Sequence, residues 1–236
     1  MQPELQTNPI SGMSPATTSQ DTGAQQRVLR NTYLLLALSM IPTGVGALIG
    51  VNLNFGFMRA SPIMSAIVML AVVYGMFYAI EKNRDSGLGV VLLLGLTLFL
   101  GVMLGPLMQV ALGLRNGGQL VALAAGGTAA VFFGMAGIAS VTRKNFGFMG
   151  NFLAVGCIVV MLAVVANIFI ASPVLHLTIC AVFVLLSSAM ILWQVSEIIH
   201  GGETNYVSAT LTLYMSVYNL FTSLLHLLMG LMGERD

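Results

Sequence analysis

Residues 150–170 read GNFLAVGCIVVMLAVVANIFI, and after the tripeptide Ala171-Ser172-Pro173 the chain continues over residues 174–199 as VLHLTICAVFVLLSSAMILWQVSEII. The first charged side chain in this stretch is Glu197. A helix needs about 20 apolar residues to cross the hydrocarbon core of a membrane, and a proline ends one helix and can open the next. The stretch therefore predicts two antiparallel membrane-spanning helices.

Five further apolar runs of similar length bring the predicted number of spans to seven. The chain has 57% hydrophobic and 7% charged residues, whereas an ordinary soluble domain has about 25% charged residues. Strands of a membrane barrel would alternate apolar and polar side chains, and these runs do not. We therefore predict an all-α membrane protein, a seven-transmembrane helix bundle within residues 27–236. The predicted spans are 31–53, 61–80, 88–108, 120–141, 150–170, 174–199 and 207–232.

The amino-terminal residues 1–26 differ in composition from the rest of the chain. They are rich in Gln, Thr, Ser, Pro and Gly and have no apolar periodicity, which is typical of a segment that cannot bury enough surface to fold. We interpret them as a disordered cytoplasmic tail. A secretory signal would have a basic region before a short apolar core at the very start, so the first span should be retained.

Basic residues in the loops predict the orientation of the bundle. Six of them, Arg27, Arg30, Lys82, Arg84, Arg143 and Lys144, fall on the side of the amino-terminal tail, and three, Arg59, Arg115 and Arg235, fall on the other side. Short loops rich in Lys and Arg remain in the cytoplasm. The amino terminus is therefore predicted to be inside and the carboxyl terminus outside.

Small residues and a short repeat carry further packing information. Gly46 and Gly50 in the first span, and Gly101 and Gly105 in the third, have the four-residue spacing that lets helix backbones approach closely.

The pentapeptide NFGFM occurs at residues 54–58 and again at 145–149. It fits either an inverted repeat, as in transporters, or two Phe-Met segments that anchor helices at the membrane surface.

The last two spans carry polar stripes at helical spacing. Side chains that recur every three or four residues share one face of a helix, and a polar face should turn away from lipid. Two interpretations remain open: hydrogen bonds between helices, or a pathway for cations or protons. The candidate pathway residues are His176, Ser187, Glu197, Thr212, Asn219 and His226.

Several classes of function are disfavoured. A net charge of +1 gives no clustered basic surface for nucleic acid. Cys157 and Cys180 are isolated in apolar runs, so neither a disulfide framework nor a metal site is expected. The sequence has no HExxH motif and no Asp within the spans for a Ser/His/Asp triad. We expect no catalytic residues, no cofactor and no enzymatic activity.

Four stretches resemble one protein family. They are VLRNTYLLL at 28–36, GGTAAVFFGMAGIASVTRKNFGFMG at 126–150, VANIFIASPVLHL at 165–177 and IIHGGETNYVSATLTLYMSVYNLF at 198–221. Together they resemble the Bax inhibitor-1 family, also called TMBIM or lifeguard, and within it the bacterial YccA branch. Resemblance to this branch implies that the chain is a multi-pass inner-membrane protein, and that it is a substrate and modulator of the FtsH AAA protease.

The wider family implies an alternative function, a pH-sensitive leak for Ca²⁺ or protons controlled by two aspartates on the last two helices. The corresponding positions here are Gln194 and Ser216, which cannot carry charge. The leak is therefore in doubt for this chain. The family's IIHGG turn corresponds to a predicted cytoplasmic turn of His200, Gly201, Gly202 and Glu203. The expected partners are the lipid bilayer and an FtsH-type protease, with the tail as the segment that the protease engages.

Overall fold

The computed structural model describes residues 15–56, 61–142 and 144–234, without the side chains of residues 15–22, 62 and 63. Its helices are α1 (Pro15–Asn52), α2 (Pro62–Lys82), α3 (Gly87–Met103), α4 (Gly105–Leu112), α5 (Gly117–Thr142), α6 (Met149–Ile170), α7 (Pro173–Ile199) and α8 (Tyr206–Met232). The described ranges contain seven apolar segments long enough to cross a membrane. The prediction of seven spans is confirmed.

The third span is longer than predicted because two helices form it. Helices α3 and α4 make one apolar segment, Gly87–Leu112, whereas the sequence predicted an end at residue 108. At the junction the Leu104 amide still donates to the carbonyls of Leu100 and Gly101. Pro106 lies in the first turn of α4, where its missing amide proton costs nothing. The helix direction is therefore maintained through the junction.

The first helix also starts earlier than expected. Helix α1 begins at Pro15, so residues 15–26 of the predicted disordered tail continue the helix in the structure. Propagation of an existing helix adds one backbone hydrogen bond per residue, and Ala and Gln in this segment favour it. An apolar face is not needed for such an extension. Residues 1–14 of the predicted tail lie outside the described residues.

Helix α8 lies at the centre of the bundle. It packs extensively against α1, α5 and α7 and also contacts α2 and α3. Its side chains Leu213, Tyr214, Leu220 and Leu225 are almost completely buried. Helix α2 packs mainly on α3, and α6 packs on α7. The outer surface is apolar, as lipid contact requires.

The four predicted glycines lie where α1 crosses α3 and the start of α4. A β-carbon on Gly46 would collide with the Leu98 carbonyl oxygen, and one on Gly101 would collide with the Thr43 carbonyl oxygen. Gly50 meets Gly105 backbone to backbone. Close approach of this kind lets helix backbones gain dispersion contacts that larger side chains would prevent. The contact between α1 and α3 is the most extensive in the described part of the bundle.

The two ends of the bundle are fixed by contacts between loops. At one end the Asn205 side chain donates to Asp85, and the Ser196 hydroxyl contacts the Lys144 carbonyl oxygen. At the other end the Arg115 amide donates to the Glu234 carbonyl oxygen. Three residues used to predict the orientation, Arg59, Arg143 and Arg235, lie outside the described residues.

Both copies of the NFGFM repeat form the same local turn. The side-chain oxygen of Asn54 accepts a hydrogen bond from the Gly56 amide, and that of Asn145 accepts one from the Gly147 amide. Asparagine favours such turns because its side chain can replace a backbone acceptor two residues away. The described part of the first copy ends at Gly56, since Phe57 and Met58 lie outside it.

Candidate functional site

The two positions that the resemblance predicts to correspond to the family's aspartates are buried and uncharged. Gln194 in α7 is 3% exposed and Ser216 in α8 is 4% exposed. The Ser216 hydroxyl donates to the Thr212 carbonyl oxygen of its own helix at 2.9 Å. Helices α7 and α8 pack closely along this region. Gln194 and Ser216 therefore place two neutral side chains in the bundle interior.

A cavity of about 370 Å³ lies between α6, α7 and α8. Three of the predicted pathway residues line it, namely His176, Asn219 and His226. Ser187, Glu197 and Thr212 are not among its lining residues. The cavity therefore brings together half of the predicted pathway residues, with the two histidines toward the end of the bundle where α7 begins and α8 ends and Asn219 in the middle of α8.

The histidines of the cavity lie against each other and against a cysteine. The ring centroids of His176 and His226 are 5.1 Å apart in an edge-to-face arrangement. Cys180 Sγ lies 3.8 Å from His176 Nε2. His226 Nδ1 donates to the Thr222 carbonyl oxygen at 2.8 Å. Because a carbonyl oxygen only accepts, this bond places the proton of neutral His226 on Nδ1 and leaves Nε2 as the acceptor.

Sequence reasoning missed this cluster. It treated Cys180 as a small apolar residue in an isolated position, and the structure supplies its partners from the preceding turn of α7 and from α8. The His176-x₃-Cys180 spacing, which places both side chains on one face of a helix, was visible in the sequence. The contribution of His226 depends on the register between α7 and α8, which a single sequence does not contain.

Glu197 lies at the opposite end of α7 from the histidines. It is half-buried in the last turn of the helix, two residues before Ile199, and about 31 Å from His176 along the axis at 1.5 Å per residue. Its backbone oxygen accepts hydrogen bonds from the amides of Gly202 and Glu203. Glu197 therefore belongs to the α7–α8 turn and not to the cavity.

The predicted turn of His200, Gly201, Gly202 and Glu203 closes α7. Gly201 has φ 79°, a left-handed conformation that glycine adopts without strain. His200 Nδ1 donates to the Ser196 carbonyl oxygen at 2.8 Å, and the same oxygen accepts from the His200 backbone amide. The Glu203 carboxylate accepts from the Asn205 amide at 2.8 Å. The turn is therefore held by its own side chains.

A polar network links this turn to the α2–α3 loop. Asn205 Oδ1 accepts from the amides of Val207 and Ser208 and caps α8, while its Nδ2 donates to Asp85 Oδ1 at 2.7 Å. The Ser208 hydroxyl donates to Glu81, which also pairs with Arg84 at 3.3 Å. The bonds from Asn205 to Asp85 and from Ser208 to Glu81 join residues 120 and 127 positions apart, so they could not be predicted from the sequence.

A second, larger crevice of about 870 Å³ separates α1 from α5, with α8 as its floor. Most of its walls are apolar. Its polar groups are already paired: the Tyr214 hydroxyl lies 2.8 Å from Thr43 Oγ1, and the Tyr218 hydroxyl donates to the Leu100 carbonyl oxygen. The crevice therefore offers shape and apolar surface but few free hydrogen-bonding groups.

Seven apolar helices, an apolar exterior and a last helix buried at the centre define a multi-pass helical membrane protein. Residues 25–234 match the family described as inhibitor of apoptosis-promoting Bax1. The chain belongs to this Bax inhibitor-1 family, as its sequence motifs predicted.

Individual relatives cover most of the chain. It is 47% identical over 215 residues to a protein of Neisseria meningitidis serogroup A, with 90% of this chain and 95% of the relative covered. It is 43% identical over 202 residues to the Escherichia coli K12 protein named modulator of FtsH protease YccA, with 86% and 89% covered. A protein of Pseudomonas aeruginosa is 43% identical over 217 residues, with 90% and 95% covered.

Proposed function

We propose that this protein is a non-enzymatic inner-membrane partner of an FtsH-type AAA protease, both its substrate and a modulator of its action on other membrane proteins. The observation that carries the proposal is the 43% identity, over 86% of the chain, to a relative named as an FtsH modulator. The alignment covers 86% of this chain and 89% of the relative, and the family match over residues 25–234 extends from the first helix to the end of α8. A surface that such a protease contacts would therefore have its counterpart in this chain.

The neutral interior supports a regulator over a Ca²⁺ or proton leak. Gln194 and Ser216 are buried where the wider family has a titratable acid pair, and neither can bind Ca²⁺ strongly or change charge with pH. Glu197 is separated from the cavity histidines by most of the length of α7. We expect the purified protein in liposomes to give no Ca²⁺ or proton flux above empty liposomes at acidic or neutral pH.

The proposed orientation places the amino terminus in the cytoplasm, where the catalytic part of such a protease would reach it. One end of the bundle carries five described basic residues, Arg27, Arg30, Lys82, Arg84 and Lys144. At the other end, Arg115 is the only basic residue among those described. This distribution agrees with the rule that loops rich in Lys and Arg stay in the cytoplasm.

Cysteine labelling tests the orientation. In a chain with Cys157 and Cys180 replaced by Ala, a membrane-impermeant maleimide added to intact cells should label Glu234→Cys and spare Glu203→Cys. Permeabilised cells should label both. Labelling of Glu203→Cys in intact cells would reverse the proposed topology.

The association with the protease can be tested in native membranes. We expect an affinity-tagged chain to co-purify with FtsH, and its overproduction to slow the turnover of another FtsH membrane substrate. An unrelated seven-helix protein at equal abundance is the control for membrane crowding. Recovery of the tagged chain without FtsH, together with unchanged turnover of the other substrate, would contradict the proposal.

The amino-terminal residues 1–26 are the proposed initiation segment. AAA proteases need a segment without stable tertiary contacts to begin pulling, and polar termini are suited to this role. Deletion of residues 2–24 should slow degradation of the chain by FtsH, and a Gly/Ser segment of equal length should restore it. Unchanged degradation and unchanged FtsH association after the deletion would refute this role of the tail.

A further inference from the structure

We propose that His176, Cys180 and His226 form a binding site for one Zn²⁺ ion at the end of the bundle where α7 begins and α8 ends. One ligand atom from each residue is available, and these atoms all lie within 4.8 Å of one another. His176 and Cys180 come from successive turns of α7, and His226 comes from the facing α8. Two ligands four residues apart on one helix and a third from its neighbour can surround a single ion.

The distances suit tetrahedral zinc. With Zn–N and Zn–S bonds of about 2.0 to 2.3 Å, neighbouring ligand atoms in a tetrahedral site are separated by about 3.3 to 3.8 Å. Cys180 Sγ and His176 Nε2 already lie 3.8 Å apart. A ligand atom of His226 lies within 4.8 Å of both, so a shift of about 1 Å brings the three atoms to the separations of a tetrahedral site.

The hydrogen bond of His226 prepares it as a ligand. Its Nδ1 proton is donated to the Thr222 carbonyl oxygen, so the lone pair of Nε2 is available to a metal. Metal-binding histidines usually donate their other ring proton to a carbonyl or carboxylate in this way, which fixes the tautomer and the ring orientation.

The cavity provides room for a fourth ligand. Three protein ligands leave one position of a tetrahedral ion open, and a water molecule usually fills it. The cavity beside the cluster has mostly apolar walls, and its polar lining includes Asn167, Asn219, Thr222 and Ser223. Asn167 Oδ1 is buried with no hydrogen-bond partner among the described residues. A zinc-bound water could donate to this acceptor.

The ligand types select the ion. Calcium and magnesium require several oxygen ligands, whereas this cluster offers imidazole nitrogen and sulfur, which zinc prefers. His176 is exposed, so zinc can enter the site from the side of this residue. Formation of the Zn–S bond breaks the Cys180 S–H bond, and the proton passes to water at this end of the bundle. The site is independent of the proposed protease partnership.

Binding can be measured on the full chain in detergent after treatment with EDTA. Equilibrium dialysis against ZnCl₂ should give one ion per chain, and CoCl₂ should produce a thiolate-to-cobalt charge-transfer band in the near ultraviolet. Cys180→Ser and His226→Gln should each weaken zinc binding by more than about tenfold. Cys157→Ser and His200→Gln, which alter the other cysteine and the remaining histidine, should bind as the unaltered protein does.

An alkylation experiment avoids any dependence on the folding of the variants. In the Cys157→Ser chain, ZnCl₂ should slow the reaction of Cys180 with N-ethylmaleimide, and EDTA should restore the rate. Equal zinc binding by the unaltered chain and by Cys180→Ser, a cobalt spectrum without the thiolate band, or an alkylation rate that does not respond to zinc would each overturn the proposal. None of these outcomes would affect the association with FtsH.

Discussion

Gly50 in α1 and Gly105 at the start of α4 are in backbone contact, and a β-carbon on Gly105 would lie 2.5 Å from the carbonyl carbon of Gly50. The atoms in contact belong to the backbone, so they cannot move aside as a flexible side chain could. The separation of these two helices is therefore set by the absence of side chains on both.

We expect Gly105→Ala to destabilise the protein by about 1–3 kcal/mol, because the added methyl group forces the two helix backbones apart. Unfolding by SDS in mixed micelles measures the effect. Gly44→Ala is the matched control, since a β-carbon at Gly44 in α1 meets nothing within 4 Å. Equal stability of the two variants would contradict the tight contact between α1 and α4.

The Tyr214 hydroxyl joins three helices at the floor of the large crevice. It lies 2.8 Å from Thr43 Oγ1 in α1 and 3.4 Å from the Thr97 carbonyl oxygen in α3. Tyr214→Phe should cost about 0.6 kcal/mol, and at most about 1.7, as hydrogen bonds between membrane helices do. Tyr78→Phe, at a side chain 70% exposed on the outer surface of α2, should have no effect.

A double-mutant cycle with Thr43→Val separates the hydrogen bond from other effects of Tyr214→Phe. Strictly additive losses in the cycle would show that the two hydroxyl groups do not interact, which the 2.8 Å distance argues against.

Gln109 in α4 caps the carboxyl-terminal end of α1. Its amide nitrogen donates to the carbonyl oxygens of Val51 and Leu53, both at 2.9 Å. Gln109→Met keeps the length of the side chain but leaves these acceptors unpaired, which should cost about 1–3 kcal/mol. Hydrogen exchange should increase in the last turn of α1 and remain unchanged in α8. The control is Gln119→Met, at an exposed position in α5. If hydrogen exchange at the end of α1 also increased in this control, the increase could not be attributed to loss of the Gln109 cap.

Asn205 has two separable roles, as the cap of α8 and as the partner of Asp85. Asn205→Ala removes both and should lower the stability by about 1–2 kcal/mol, the range for loss of an amino-terminal cap. Asn205→Ser retains a capping oxygen without the reach to Asp85 and should be intermediate in thermal unfolding. Asn151→Ala, at an exposed position near the start of α6, should match the unaltered chain. A serine variant as unstable as the alanine variant would assign the whole effect to the bond with Asp85.

The features that could be predicted from the sequence depend on neighbours in the chain. The length of an apolar run determines whether a helix can span a membrane, so all seven spans were predicted, and the Gly46 and Gly50 pair was visible as a spacing. The start of α1 was misplaced because the prediction required apolar periodicity, whereas helix propagation from the first span does not.

The candidate sites depend on contacts between distant residues, and here a single sequence was insufficient. His226 meets Cys180 only because of the register between α7 and α8, and Gln109 meets Val51 only because α4 continues beside the end of α1. Glu197 was predicted as a candidate pathway residue, and the structure places it in the last turn of α7, outside the cavity lining. Its proximity to Gly147 and Gly202 could not be inferred from its spacing along the chain.

The glycine-lined crossing of α1 over α3 and α4 also has a mechanical consequence. A protease that pulls from the amino end must extract α1 first, and the contact of α1 with α3 is the most extensive helix pair in the described part of the chain. The first unfolding step would then be the hardest one, and later helices would leave with less resistance. An unfolding motor stalled at this step stays occupied, and a slowly yielding first span is one physical way in which a substrate can delay the processing of others.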